Sequence, residues 1–253
     1  MASQEIQWLL KEKYNDIKSD AFYADCRRLA LGEPLAYIIG HTPFLNCQIW
    51  LDHHPLIPRP ETEHWTHEAI DAIKTTSTLS LGLEEASPKI LDLCAGSGCI
   101  GISVLKEIDK ARVDFSEIDE KLIATITKNI ETNITATDRA RVFHSNLFSN
   151  INDTYDFILT NPPYIDESLN RADKSVKDFE PYIALFGGEA GLEIIDRLIS
   201  TAPGYLSVGG QLWLEHEPEQ NNAISELGEK YDFSVSTHKD QYGVDRYSIL
   251  VLQ

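Results

Sequence analysis

The chain has 253 residues, 42% of them apolar and 25% charged, which suits one sizeable core and lies far from the composition of a disordered segment. No apolar run approaches the roughly 20 residues of a membrane span, and the opening MASQEIQWLLKEKYNDIKSD has neither a signal-peptide core nor an acid-poor transit composition. With 22 basic and 40 acidic residues the net charge is -18, and the longest basic run is Arg27-Arg28, so the surface repels phosphate backbones and suits a basic protein partner, if it serves more than solubility.

Residues from about Glu5 to Leu31 carry helical periodicity through Ile6, Leu9, Leu10, Tyr14 and Ile17, and Gly32 ends the pattern. A proline-fenced region follows, GEPLAYIIGHTPFLNCQIWLDHHPLIPRPETE, with β-prone pieces at Tyr37–Ile39 and Gln48–Leu51. After Pro60 the run ETEHWTHEAIDAI reads as a helix, and TTSTLSLGLEEASP as a surface linker. His64 and His67 share a helix face near Glu61, Glu63 and Glu68, and a solvated polar face explains that pattern better than a metal site. The four cysteines, Cys26, Cys47, Cys94 and Cys99, form no C-x-x-C pair, as expected of reduced thiols in an intracellular protein.

From Lys89 strands alternate with helices, the pattern of a mostly parallel, doubly wound α/β sheet. Strands are expected at Lys89–Leu93, Val113–Ser116, Arg141–His144, Phe157–Thr160 and Gln211–Glu215, and helices at Cys99–Ile108, Asp119–Asn133 and Leu192–Ser200. The final FSVSTHKDQYGVDRYSILVLQ reads as two strands joined by a loop with Gly243, and no internal repeat is evident. The expected organisation is a short N-terminal helical segment over 1–32, a hairpin and helix cap over 33–75, a linker over 76–88 and an α/β domain over 89–253.

The first chemical motif is ILDLCAGSGCIGIS, in which a strand runs through glycines into a helix start and so presents backbone N–H groups and a close-approach surface to a ligand. Gly96-x-Gly98-x-x-Gly101 matches a dinucleotide fingerprint, and Glu117, about 20 residues on, can accept from both hydroxyls of a ribose. A bare strand-to-helix turn would use the same glycines, but would not need that acidic residue. On these residues alone NAD and S-adenosylmethionine are both open.

The second motif, LTNPPYI, places Asn161 at the C-terminal end of a strand, the edge where open α/β sheets bind ligands. Pro162 and Pro163 fix φ and remove two donors, so the Asn161 side-chain oxygen and the Pro162 carbonyl become two fixed acceptors. Two acceptors suit an NH2 group, and Tyr164 can stack on the planar group that carries it. A hydride-transfer enzyme has no need of such a grip. A methyltransferase acting on a planar amide or amino base does, because the nitrogen lone pair is delocalised and must be aimed at a sulfonium methyl. Positioning alone can supply about 7–11 kcal/mol of that barrier, and no general base is needed before transfer. A merely rigid Pro-Pro turn is the bland alternative.

Together these residues resemble the HemK/PrmC family of release-factor glutamine N5-methyltransferases. The resemblance runs through EPLAYIIG (Glu33–Gly40), LIPRPETE (Leu56–Glu63), ILDLCAGSG, Glu117, NPPYID, FEPYIALFGGEAGLE (Phe179–Glu193) and LWLEHEPEQ (Leu212–Gln220), and covers roughly residues 33 to 251. NPPY alone is shared with amino-methyltransferases of DNA adenine and RNA guanine, whereas LIPRPETE upstream with EPxxALxGG downstream is more specific. The resemblance implies a class I, Rossmann-like methyltransferase fold, S-adenosylmethionine as donor, and the Gln of a Gly-Gly-Gln tripeptide in a class 1 release factor as acceptor. It places Cys94, Ala95, Gly96, Ser97 and Gly98 along the methionine part of the donor, Glu117 at its ribose and Asn146 and Leu147 beside its adenine. Asn161, Pro162, Pro163 and Tyr164 hold the glutamine amide, with Asn161 touching donor and acceptor, and Asn161, Pro162 and Tyr164 carry catalysis. Arg59 to Glu63 are expected to wall the pocket with Phe44 near it.

The chain departs from that pattern at Asn146, where the family usually has an acidic residue, at Leu147, where an aromatic is frequent, and in a helical segment before Glu33 about half the family's length. The expected protein is a monomer that binds neither membrane nor nucleic acid directly, in a bacterial cytoplasm or a mitochondrial matrix. The alternatives are an adenine N6 or guanine N2 amino-methyltransferase, whose binding would fall steeply with salt, and a non-catalytic donor-binding partner subunit.

Overall fold

The structure is a computed structural model that describes residues 4–79, 87–170 and 173–253. It opens with two helices, α1 (Gln4–Tyr14) and α2 (Asp20–Ala30), where the apolar pattern reads as one. Asn15 and Asp16 take φ of 48° and 65°, a left-handed conformation that ends α1, and the Ser19 hydroxyl caps α2 by accepting the Phe22 N–H at 3.2 Å. The periodicity survives the break because both helices cover one small core of Leu9, Phe22 and Ile38. The segment Leu35–Ile39 is a third helix, α3, rather than the expected β-prone piece; Pro34 precedes its first turn and Gly40, at φ 97°, closes it.

A hairpin of β1 (His41–Phe44) and β2 (Cys47–Trp50) follows, then α4 (Pro60–Leu79), which carries the helix expected after Pro60 into the start of the expected linker. The rest of that linker lies mostly outside the described residues. The α/β part contains β3 (Lys89–Leu93), α5 (Cys99–Glu107), β4 (Arg112–Glu117), α6 (Glu120–Asn133), β5 (Ala140–His144) and β6 (Tyr155–Thr160). It continues with α7 (Lys174–Phe179), α8 (Glu193–Thr201), β7 (Leu206–Glu215), α9 (Asn221–Lys230), β8 (Phe233–Lys239) and β9 (Asp245–Leu252). Neither α7 nor α9 is among the helices expected from the sequence.

The seven-stranded sheet has the order β5-β4-β3-β6-β7-β9-β8, with β3 to β7 mutually parallel and β9 antiparallel to both neighbours. The strand order reverses between β3 and β6, the switch point at which such sheets open a crevice. Alternation sorts the strand residues onto two faces. Ile90, Phe157, Leu159 and Trp213 enter the core beneath α4, α5 and α6, while Leu91, Leu93, Ile158, Leu212 and Leu214 enter the core beneath α8 and α9.

The hairpin is bonded to this sheet domain. On α6, Asn129 and Asn133 stand one helical turn apart and act as a substitute strand. Asn133 Oδ1 accepts from Gln48 N at 2.9 Å and Asn129 Oδ1 from Trp50 N at 2.7 Å, while their amide nitrogens donate back to the Gln48 and Trp50 carbonyls. Tyr37, Phe44, Cys47 and Ile49 share a core with Ile90 and Ile100, so segments 33–75 and 89–253 are packed as one unit.

Candidate functional site

Parallel register puts the two motif-bearing loops side by side. Leu93 pairs with Ser116 on one flank and with Thr160 on the other, so Cys94, Glu117 and Asn161 leave adjacent strand ends. Between them opens a cleft whose free space, mouth included, is about 1130 Å³.

One half of the cleft is the glycine loop. Cys94 holds φ 60°, a left-handed conformation costly for a residue with a side chain, and Gly96 and Gly98 follow at 57° and 78°. The loop is tied down from beneath: Gly101 N–H donates to Asp92 Oδ2 at 2.8 Å, and Asn129 Nδ2 donates to the Ser97 carbonyl at 2.9 Å. Asp92 is fully buried, its Oδ1 has no hydrogen-bond partner, and burial pushes its pKa well above the usual carboxylate range. Burial likewise pushes the Cys94 thiol up to about 12, so it stays protonated and unreactive at neutral pH.

Glu117 faces this loop from the end of β4. Its two oxygens accept the Gly96 and Asp119 N–H groups at 2.7 and 2.8 Å, which leaves further lone pairs for hydroxyl donors. Burial raises its pKa and those backbone donors act against the rise. Ile118, 41% exposed, and Leu147, at φ 51°, are apolar walls beyond it. The Leu147 carbonyl accepts from both Ser116 and Ser145 hydroxyls, at 2.6 and 2.8 Å, which fixes that turn. Asn146 lines the cleft, and its Oδ1 accepts from Arg197 at 3.2 Å, which takes one of that oxygen's two lone pairs.

The residues fit a nucleoside joined to a small charged chain. A side chain built at Gly96 would project into open space with nothing within 4 Å, a carboxylate stands where ribose hydroxyls would reach, and apolar walls lie where a flat base would sit. The sequence signal for Ile118 was present in the strand-end tripeptide EID, but the walls of a base site carry no polar signature and went unread.

The other half is the Asn-Pro-Pro-Tyr loop. Asn161 and Pro163 line the cleft, whereas Pro162 is buried and Tyr164 packs against the core that contains Leu91 and Leu93. Tyr164 does not line the cleft: its hydroxyl donates to Glu215 Oε1 at 2.9 Å, and burial, with that carboxylate beside it, holds the phenol pKa well above its ordinary value. Glu215, 1% exposed, also accepts from Thr62 Oγ1 at 2.7 Å and Trp65 Nε1 at 2.6 Å, and Thr62 Oγ1 accepts from Asn161 Nδ2 at 3.1 Å. Sequence reading missed Thr62, Trp65 and Glu215 as a group, since they are separated by about 150 residues.

The Pro-Pro loop is braced by the segment after it. Ile165 N–H donates to the Leu185 carbonyl at 2.9 Å and Gly187 N–H to the Ile165 carbonyl at 3.1 Å. A Cβ at Gly187 would stand 2.5 Å from the Pro163 carbonyl oxygen, and one at Gly191 only 1.9 Å from that of Tyr164. Gly187 and Gly191 of FGGEAGLE are therefore backbone-packing positions against the Pro-Pro loop, while a Cβ at Gly188 would meet the Glu193 side chain. The expected wall from Arg59 to Glu63 contributes Arg59 and Thr62, together with Leu56 and Pro58 just before it. Glu63 turns away and accepts the Leu45 N–H at 2.5 Å, and Phe44 lies in the core, 1% exposed, rather than at the cleft. Pro181, Ile183 and Ala184 line the cleft as well. Among the described residues no three His, Cys, Asp or Glu side chains gather as a metal site.

Residues 64–179 match the family model of the methyltransferase small domain. The chain is 36% identical over 220 residues to the release factor glutamine methyltransferase of Rhodopirellula baltica, covering 82% of this chain and 72% of that protein. It is 33% identical over 248 residues to the protein of the same name from Lactococcus lactis, covering 96% of this chain and 87% of that one. A methyltransferase structure from Pyrococcus furiosus superposes with a TM-score of 0.56 at 20% identity, over 90% of this chain and 97% of that one, which is a likeness of fold.

Proposed function

The chain belongs to the family of release factor glutamine methyltransferases, and from that premise we propose how its cleft moves a methyl group from S-adenosylmethionine to the side-chain amide nitrogen of a release-factor glutamine. The observation that carries the reading is the adjacency of Cys94 and Asn161 on paired strands, which puts the glycine-lined donor half and the Pro-Pro acceptor half in one cleft. Bound there, the donor supplies an electrophilic methyl on a sulfonium. Cys94 to Gly98 lie along its methionine part, Glu117 accepts from its ribose hydroxyls, and Ile118 and Leu147 flank its base.

On the other side Asn161 Oδ1 and the Pro162 carbonyl accept the two hydrogens of the glutamine NH2. That grip stills the amide and turns its lone pair toward the methyl. The apolar walls of Pro163, Ile183 and Ala184 keep competing water away from the reacting nitrogen. The proton leaves the nitrogen after transfer, so the site needs no base poised beside it. Tyr164 serves the loop from beneath and not as a stacking platform. We place the Gly-Gly-Gln loop of a class 1 release factor in the cleft mouth, and the enzyme wherever such factors work, in a bacterial cytoplasm or a mitochondrial matrix.

The test is transfer to a purified class 1 release factor, read by peptide mass spectrometry, with Asn161→Ala alongside and donor affinity measured by calorimetry. A methyl on the Gly-Gly-Gln glutamine, lost with Asn161→Ala while donor affinity persists, is the expected result. Donor binding without transfer to the factor, but with transfer to an adenine or guanine amino group, would replace the release factor with a nucleic acid.

A further inference from the structure

Asn161 can grip an NH2 group only if its side-chain oxygen, and not its nitrogen, faces the cleft. Nothing in the Asn-Pro-Pro-Tyr loop itself decides that, because the two ends of an amide have nearly the same shape. We propose that Thr62, Glu215 and Trp65 form a polarity relay that sets which end of the Asn161 amide faces the substrate, making Thr62 and Glu215 positioning residues for the transfer; the proposal rests on the reading given under Proposed function.

The relay starts from a group that can act in only one sense. The Trp65 indole N–H is a donor with no acceptor capacity, and it meets Glu215 Oε2 at 2.6 Å, so that oxygen must accept. Thr62 Oγ1 lies 2.7 Å from the same oxygen, so its single hydrogen goes there and only its lone pairs remain for Asn161. At 3.1 Å from those lone pairs the Asn161 amide can place only its NH2 end, since an oxygen there would set lone pair against lone pair. Oδ1 is then left for the cleft. Tyr164 donates to the other carboxylate oxygen at 2.9 Å, so it leaves the sense of the relay untouched.

Burial gives the relay its force. Trp65 is fully buried and Glu215 and Thr62 are 1% and 2% exposed, so no solvent competes for the two bonds to Glu215 that fix the Thr62 hydroxyl, while Asn161 is half-buried at the cleft wall. Thr62 also lines the cleft, which makes it the one member in reach of both the loop and the substrate.

Two measurements test this, one without any substrate. The first follows the Asn161 side-chain NH2 resonances by nitrogen-15 NMR in the free, full-length protein, assigned by their loss in Asn161→Ala. Hydrogen exchange at that NH2 should speed up about tenfold or more in the near-isosteric Thr62→Val and return close to the native rate in Thr62→Ser. The variant Glu215→Gln should keep the native rate, because its carboxamide oxygen can still face Trp65 and Thr62 while its NH2 faces Tyr164. Unchanged exchange in Thr62→Val overturns the relay, whatever the true substrate is.

The second is a double-mutant cycle on methyl transfer. We expect Thr62→Val to lower kcat about tenfold to a hundredfold with donor Kd unchanged, and to add almost nothing in an Asn161→Ala background. Additive losses, or a loss that Thr62→Ser does not restore, would show Thr62 acting on its own account. If the wild-type enzyme transfers nothing to a release factor, the substrate reading fails, and the exchange measurement still decides the relay.

Discussion

Arg59 Nη2 donates to Glu180 Oε1 at 2.5 Å, a bond between residues 121 positions apart that joins LIPRPETE to FEPYIAL, two segments that both line the cleft. The other Glu180 oxygen accepts the Ile57 N–H at 3.1 Å, and the carboxylate side chain is 2% exposed. One buried acid therefore holds two cleft walls. Replacing Glu180 with alanine leaves a guanidinium and a backbone N–H without their acceptor, and should lower stability by about 2–4 kcal/mol, measured by urea unfolding. Glu180→Gln, which keeps one acceptor, should cost less than half as much.

Glu117 makes a different prediction, because glutamine is not a mild substitute there. Both carboxylate oxygens accept backbone N–H groups, from Gly96 and Asp119, so an NH2 end would oppose one of those donors. Calorimetry should find donor affinity in Glu117→Gln weakened about tenfold or more, close to the loss in Glu117→Ala.

Gly191 should tolerate no side chain. At φ 68° an added Cβ would meet the Tyr164 carbonyl oxygen at 1.9 Å and the Gln220 amide nitrogen at 2.6 Å. Gly96→Ala, with nothing within 4 Å, meets only the cost of its positive φ. Thermal melting should show Gly191→Ala destabilised by more than about 3 kcal/mol, or unfolded, and Gly96→Ala by about 1 kcal/mol.

His216 predicts a pH dependence. Fully buried, it donates from Nδ1 to the Glu217 carbonyl at 2.9 Å and lies 2.8 Å from the Ser248 hydroxyl through Nε2, and burial lowers its pKa from 6.5 to about 4. Below pH 6.5 the unfolded chain takes a proton that the folded one refuses, so this contribution is full above 6.5 and falls as pH drops toward 4. In His216→Gln the loss is absent, while the carboxylates titrate alike in both proteins. The stability gap between wild type and variant should therefore narrow by about 2 kcal/mol from pH 7 to pH 5, read by urea unfolding at each pH.

The chain order of strands, the glycine loop, Glu117 and the Asn-Pro-Pro-Tyr turn were all legible in the sequence because each is a local matter. The apolar run along Tyr155–Thr160, the φ restriction of two prolines and the freedom of Gly96 and Gly98 act within a few residues of themselves. Local rules misled at Tyr37–Ile39, where the turn opened by Pro34 and closed by Gly40 outweighed β propensity, and at Asn15–Asp16, where apolar spacing continued through a helix break.

What Tyr164 does was decided only by tertiary structure. Its neighbours in sequence offer a ring near a ligand, but parallel pairing of β6 with β7 brings Glu215 under it, and that buried carboxylate collects Tyr164, Trp65 and Thr62. Arg59 and Glu180 met for the same reason, as did Gly187 and Gly191 and the carbonyls of Pro163 and Tyr164. A backbone conformation is set by sterics between adjacent residues, so the sequence by itself determined the donor loop and the acceptor turn. A buried polar group must find its partner wherever the strand order delivers one, so the side chains that orient Asn161 could be known only once the sheet was assembled.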